Sequence, residues 1–279
     1  STHPSSLQSA VVAMGADLFV MALVTEETGR AASAVRPTLS VQLSLVELTI
    51  LRYGTEAQKQ AYLPRLCSGE IIGCFGLTEP EAGSDATALR STARRDGDDW
   101  ILNGRKMWIS NGSVSKLALV FAQADPSLGH KGITAFLLDR ERQPYGSAGL
   151  HGKLGLRSSD SSELILEDVR VPDANRLGEV GEGFRIAMAA LDSGRYSVAA
   201  GAVGVAQASI DAPGAYPTPP PTTGKPIPGP RLVAPIHAAV TDATAAPRPA
   251  AGRASEPKHR GRANTRKHNI RTRRTHRGA

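Results

Sequence analysis

Proline density from residue 213 onward sets the tightest limit on what this chain can fold into. Residues 213–279 hold 12 of the 19 prolines, including PTPPP at 217–221, and almost no aromatic residue beyond Tyr216. Proline lacks a backbone N–H and fixes φ, so a segment this rich in it cannot be helix interior or central strand. No face recurs at 3.6 or at 2 residues, and few side chains could offset the entropy of ordering. We therefore expect 213–279 to be disordered and the foldable part to end near residue 212.

The same division explains the charge. Formal charge is +7, but 13 Lys+Arg against only Asp242 and Glu256 give residues 213–279 a charge of +11, leaving −4 on the first 212. A basic tail such as RGRANTRKHNIRTRRTHRGA could grip a polyanion. Nothing in the first 212 residues resembles a reader of bases, so no specific nucleic-acid partner is expected. Cys67 and Cys74 form neither a CxxC nor a second pair, which supports no disulfide scaffold and no metal site. The apolar run Val11–Val24 is broken by Asp17 and is too short to span a bilayer. With no signal-peptide pattern, a cytoplasmic setting without membrane contact is the expectation.

Before the tail, three patterns follow one another. Residues 1–70 read as a partial helical domain: AVVAMGADLFVMALVTEETG with Gly29 as C-cap, SVQLSLVELTILRYG ending at Gly54, and TEAQKQAYL with Thr55 as N-cap, stopping before Pro64. Residues 71–172 read as a mostly antiparallel β domain, with an Asp-Gly hairpin in RSTARRDGDDWILNG and strands in LALVFAQA, GITAFLLD and SELILEDVRV. Residues 173–212 turn helical from Glu182, with Gly194, Gly201 and Gly204 allowing close helix packing.

Four stretches carry a specific resemblance: GLTEPEAGSD at 76–85, LNGRKMWISNG at 102–112, EDVRVP at 167–172 and GEGFRIAMAALDSGR at 181–195. Over roughly residues 10–212 the chain resembles the acyl-CoA dehydrogenase family of flavoproteins. The resemblance implies an α+β multidomain fold: a helical N-terminal domain, a central antiparallel β-barrel and the start of a C-terminal helical bundle. It further implies bound FAD, oxidation of an acyl-CoA thioester to the 2,3-enoyl-CoA, an electron-transfer flavoprotein as electron acceptor, and homotetramers.

By the same resemblance Phe75, Leu77 and Thr78 line the flavin, with Thr78 donating to its pyrimidine end, and Ser84 lies near the FAD pyrophosphate and the CoA chain. Trp108 packs beside the ring and Ser110 donates toward N5. Phe184, Asp192 and Arg195 match positions that contact the acyl-CoA, although Asp192 and Arg195, three apart on a helix, could equally pair with each other. Trp100 reads as packing. Glu79 and Asp85 read as carboxylates that fix a loop rather than as acid–base groups.

The reaction class needs a base for the α-proton. A minority of the family carries it at the position of Gly194, which has no side chain, and the majority in a region that here is rich in proline and arginine. No catalytic residue is nominated. GKPI at 224–227 matches a family hallmark inside that foreign composition, as a change of reading frame would leave it. Two readings follow: a flavoenzyme by descent, or a non-catalytic acyl-CoA or flavin binder, including an unstable frameshifted product. Since part of the family's cofactor cage comes from the bundle and a neighbouring subunit, weak FAD retention is expected.

Overall fold

A computed structural model describes residues 18–214. Of the expected disordered tail, Pro213 and Gly214 instead end the last helix; residues 215–279 with the GKPI segment, and the start of the first helical run, lie outside the described residues.

Among the described residues five α-helices pack against one face of a β-sheet. Helix α1 (Leu18–Ala31) is followed by α2 (Arg36–Ser40), a π-helical turn over Val41–Glu47, and α3 (Leu48–Tyr53), which continue one another. In the π turn the Leu48 N–H reaches back to Leu43 O, one residue further than an α-helical bond. Helix α4 (Glu56–Cys67) starts on a capping box: Thr55 Oγ1 accepts from the Gln58 N–H while Gln58 Oε1 accepts from the Thr55 N–H. It does not stop before Pro64. The missing proline N–H falls in the last turn, and the helix closes three residues later with the Ser68 N–H on Pro64 O. Helix α5 (Gly183–Gly214) lies along α1.

Gly29 is not the C-cap expected of it. Helix α1 continues to Ala31, and a Cβ at Gly29 would meet Gly201 O at 2.4 Å. A Cβ at Gly204 would in turn meet Glu26 O at 1.9 Å. These glycines let the backbones of α1 and α5 approach.

The strands are β1 (Gly73–Gly76), β2 (Thr92–Asp96), β3 (Asp99–Ser110), β4 (Leu117–Gln123), β5 (Ile133–Asp139), β6 (Gly146–Gly149), β7 (Ser161–Pro172) and β8 (Arg176–Leu177). Their order is β6-β7-β3-β2-β4-β5-β8, with β1 added in parallel to β4. The expected antiparallel barrel is therefore corrected to an open, mixed sheet. β2 also meets β4 in parallel, through Thr92 and Gln123 alone, and the terminal strands β6 and β8 do not pair.

Every residue of β4 and β5 is buried because the two faces enter different cores. Leu117, Leu119, Phe121, Ile133, Ala135 and Leu137 pack with Val46, Ile50 and Ile186 of the helices. Ala118, Val120, Ala122, Phe136 and Leu138 pack with Trp100, Leu102, Leu164 and Val171, where the sheet curls over itself. Trp100 is thus a packing residue, and its indole N–H donates to Asp173 at 2.7 Å. Among the described residues no helix is long and apolar enough to cross a membrane.

Candidate functional site

The π turn presents Val41 and Leu45, and α5 presents Phe184, Met188, Leu191 and Arg195, across a groove from β1 and β3. The groove measures about 530 Å³. Phe75, Leu77, Thr78, Ser84, Trp108 and Ser110 line it together with Phe184 and Arg195. Asp192 does not. It sits exposed on α5 and accepts from Arg195 at 3.2 Å.

The β3 wall is shaped by a bulge. Pairing with β7 slips between Lys106 and Ile109, so Met107 and Trp108 lie outside the ladder. Trp108 takes φ 61, costly for a residue with a bulky side chain, and leaves its indole 64% exposed. A large apolar ring held out to solvent by a strained backbone is a surface shaped to be covered.

The β1 side is held by a buried ion pair. Glu79 and Lys106 lie 2.6 Å apart, both in the interior. Glu79 also accepts from the Arg90 N–H at 2.5 Å and the Ser91 N–H at 3.0 Å. Lys106 Nζ further donates to Phe121 O at 2.6 Å and, more distantly, to Leu77 O at 3.4 Å. Between them, the Met107 N–H donates to Thr78 O at 2.8 Å. Burial pushes the Glu79 carboxyl up, but the Lys106 charge and the three hydrogen bonds outweigh it and hold it below its usual range. Burial draws Lys106 down to about 8, against the pull of Glu79. Asp85 caps its own loop through the Thr87 N–H and hydroxyl, which lowers its pKa. Both carboxylates thus fix the loop.

The hydroxyls of Thr78, Ser84 and Ser110 and the indole N–H of Trp108 make no hydrogen bond within the described residues, although they share one groove. Such a set suits a flat ligand with several acceptors. Asp85 is the one carboxylate lining the groove among the described residues, and it is already engaged. Position 194 is glycine, so α5 carries no acid there.

A second hollow of about 550 Å³ shares Val41, Leu45, Ser110, Leu191 and Arg195 with the first and continues it toward α2. Arg36 projects into it, donating to Ser40 Oγ at 3.3 Å. Among the described residues it has no carboxylate within ion-pair distance, and burial lowers its pKa. Sequence reasoning passed over both Arg36 and Lys106. A lysine in a strand reads as solvent-facing, and Arg36 precedes a proline in a segment without periodicity.

Residues 74–169 match the family model described as "Acyl-CoA dehydrogenase, middle domain", and residues 7–70 match "Acyl-CoA dehydrogenase, N-terminal domain". The chain is 44% identical over 197 residues to the human mitochondrial short-chain specific acyl-CoA dehydrogenase, an alignment covering 71% of this chain and 48% of that protein. A glutaryl-CoA dehydrogenase solved with glutaryl-CoA superposes with TM-score 0.83 at 37% identity, over 90% of this chain and 65% of that one. A glutaryl-CoA dehydrogenase of Mycobacterium smegmatis, in complex with FADH2, superposes with TM-score 0.72 at 38% identity, over 80% and 57%. The chain spans about half the length of the curated relatives it matches.

Proposed function

This chain belongs to the acyl-CoA dehydrogenase family, and from that premise we propose that the groove holds FAD beside the acyl chain of a CoA thioester. The reading rests on one observation: three hydroxyls and an indole N–H without partners among the described residues belong to residues lining one groove, whose wall carries a strained, exposed tryptophan. Residues present fit the cofactor. When bound, the flavin supplies an acceptor for the hydrogen leaving the β-carbon as the acyl group becomes the 2,3-enoyl thioester.

The chain's own residues bind and orient. Phe75 and Leu77 would give the flavin an apolar floor, and the Thr78 hydroxyl would be a donor to it. Trp108 covers a ring face and excludes water. Ser110 would donate to the ring from the groove wall, and a donor already in place costs no reorganisation. Ser84 reaches the pyrophosphate and CoA chain, while Phe184, Arg195 and, through Arg195, Asp192 take the substrate side. An electron-transfer flavoprotein as acceptor and a homotetrameric assembly complete the proposal.

No described residue takes the α-proton. The Asp85 carboxylate is engaged by Thr87, which lowers its pKa and makes it a weaker base, and Gly194 has no side chain, so a second reading is favoured by the groove itself: residues 18–214 bind flavin and acyl-CoA without turning them over.

Arg36 points to the acyl group. A guanidinium without a carboxylate partner among the described residues, half-buried beside apolar side chains, suits a chain ending in a carboxylate, as in glutaryl-CoA, better than one ending in methyl. Titrating the 279-residue chain with FAD, then adding glutaryl-CoA without oxygen, tests these readings. Saturable quenching of flavin fluorescence supports the flavin site, and no quenching overturns it. Bleaching of the flavin band indicates turnover, and binding without bleaching indicates the second reading.

A further inference from the structure

Lys106 is fully buried, yet a buried ion pair is a poor source of stability: replacing one by apolar groups of like volume is often neutral or stabilising. The geometry gives it another use. Its acceptors come from three places in the chain: Leu77 O and Glu79 Oε1 on either side of Thr78, and Phe121 O on β4. Glu79 adds the N–H groups of Arg90 and Ser91, where the chain approaches β2. Lys106 itself is the last paired residue before the bulge, and its neighbour Met107 binds Thr78 O. Thr78 is therefore fixed on both sides and from behind, and its hydroxyl is left facing the groove.

We propose that the Lys106–Glu79 pair is a positioning device that locks the Thr78 loop to the Trp108 bulge, so that two walls built from distant strands present one ligand-binding surface. The pair touches no ligand and acts through Thr78 and Trp108. Its consequence for affinity rests on the flavin reading above, whereas the locking itself does not.

The test compares the full chain with the double variant Lys106→Met/Glu79→Gln, which removes both charges together. Three quantities are measured: the thermal midpoint, amide exchange at Ser91 and Met107 without ligand, and the FAD dissociation constant. The double variant is expected to melt near the parent, while Ser91 and Met107 exchange about tenfold faster or more and FAD binds about tenfold more weakly. Leu137, in the core of β5, should keep its protection.

A double variant with parental exchange at Met107 and parental FAD affinity overturns the proposal, because the pair would then be packing alone. If the parent binds no FAD, the flavin reading fails and Met107 exchange alone decides the locking. Should the double variant not fold, Glu79→Asp, which keeps both charges but shortens the reach of the carboxylate, is read against the same two outcomes.

Discussion

A Cβ on Gly29 would stand 2.4 Å from the carbonyl oxygen of Gly201, so α1 and α5 touch backbone to backbone. Alanine in a helix interior normally improves on glycine by about 1 kcal/mol. Here the opposing atom belongs to a helix backbone and cannot swing aside, and overpacking costs about 1–3 kcal/mol. Gly29→Ala should therefore lower the urea midpoint despite its better propensity. A midpoint at or above the parent's would show that α1 can shift away from α5.

Glu47 gives the fold a pH slope. Its carboxyl is buried and accepts from Cys67 Sγ at 3.6 Å, and burial pushes it up to about 7. An unfolded glutamate titrates near ~4.3. Between those values the folded state holds a proton that the unfolded state has released, so this contribution is complete below about pH 4.3 and is lost as pH rises through 7. Glu47→Gln should flatten the fall in urea midpoint between pH 5 and 7.5, leaving a smaller difference from the parent at pH 5. A parental slope in the variant would place Glu47 outside this titration.

What was legible in the sequence was local. Thr55 and Gln58, three apart, announced a capping box, and Asp-Gly at 96–97 announced the hairpin between β2 and β3. GLTEPEAGSD and KMWISNG carried the family resemblance, and residues of both line one groove. What stayed hidden depends on distant partners. Gly29 looks like a cap until Gly201 is beside it, and Lys106 looks solvated until Glu79 and Phe121 close over it. Barrel closure was misread for the same reason. The parallel pairing of β1 with β4 joins segments more than 40 residues apart, and no periodicity within either strand encodes it.

Trp108 separates binding from stability. Its indole is largely exposed, so Trp108→Ala removes little buried surface and relieves none of the core. The thermal midpoint should stay close to the parent's, as for other exposed substitutions, within ~0.5 kcal/mol. FAD affinity should fall about tenfold, the value of one well-placed aromatic face. Fluorescence titration alongside thermal unfolding checks both halves. Unchanged affinity would remove Trp108 from the proposed site, and a large loss of stability would show that the ring packs in solution.

Arg36 carries the expectation about the acyl group. It lies in the hollow that continues the groove, with Ser40 Oγ as its side-chain partner and Gly201 beneath its stem, where a Cβ would meet Arg36 Cδ at 1.9 Å. Hydrogen bonds to charged groups contribute about 1.5–3 kcal/mol, roughly tenfold to a hundredfold in affinity. Arg36→Met keeps the length of the stem and removes the charge. It should weaken glutaryl-CoA binding by that range and leave butyryl-CoA, which has no terminal carboxylate, nearly unchanged. Competition between the two thioesters for the FAD-loaded chain reads the ratio directly. Equal losses for both would mean that Arg36 meets the CoA moiety they share, and no loss for either would return Arg36 to a structural role under α5.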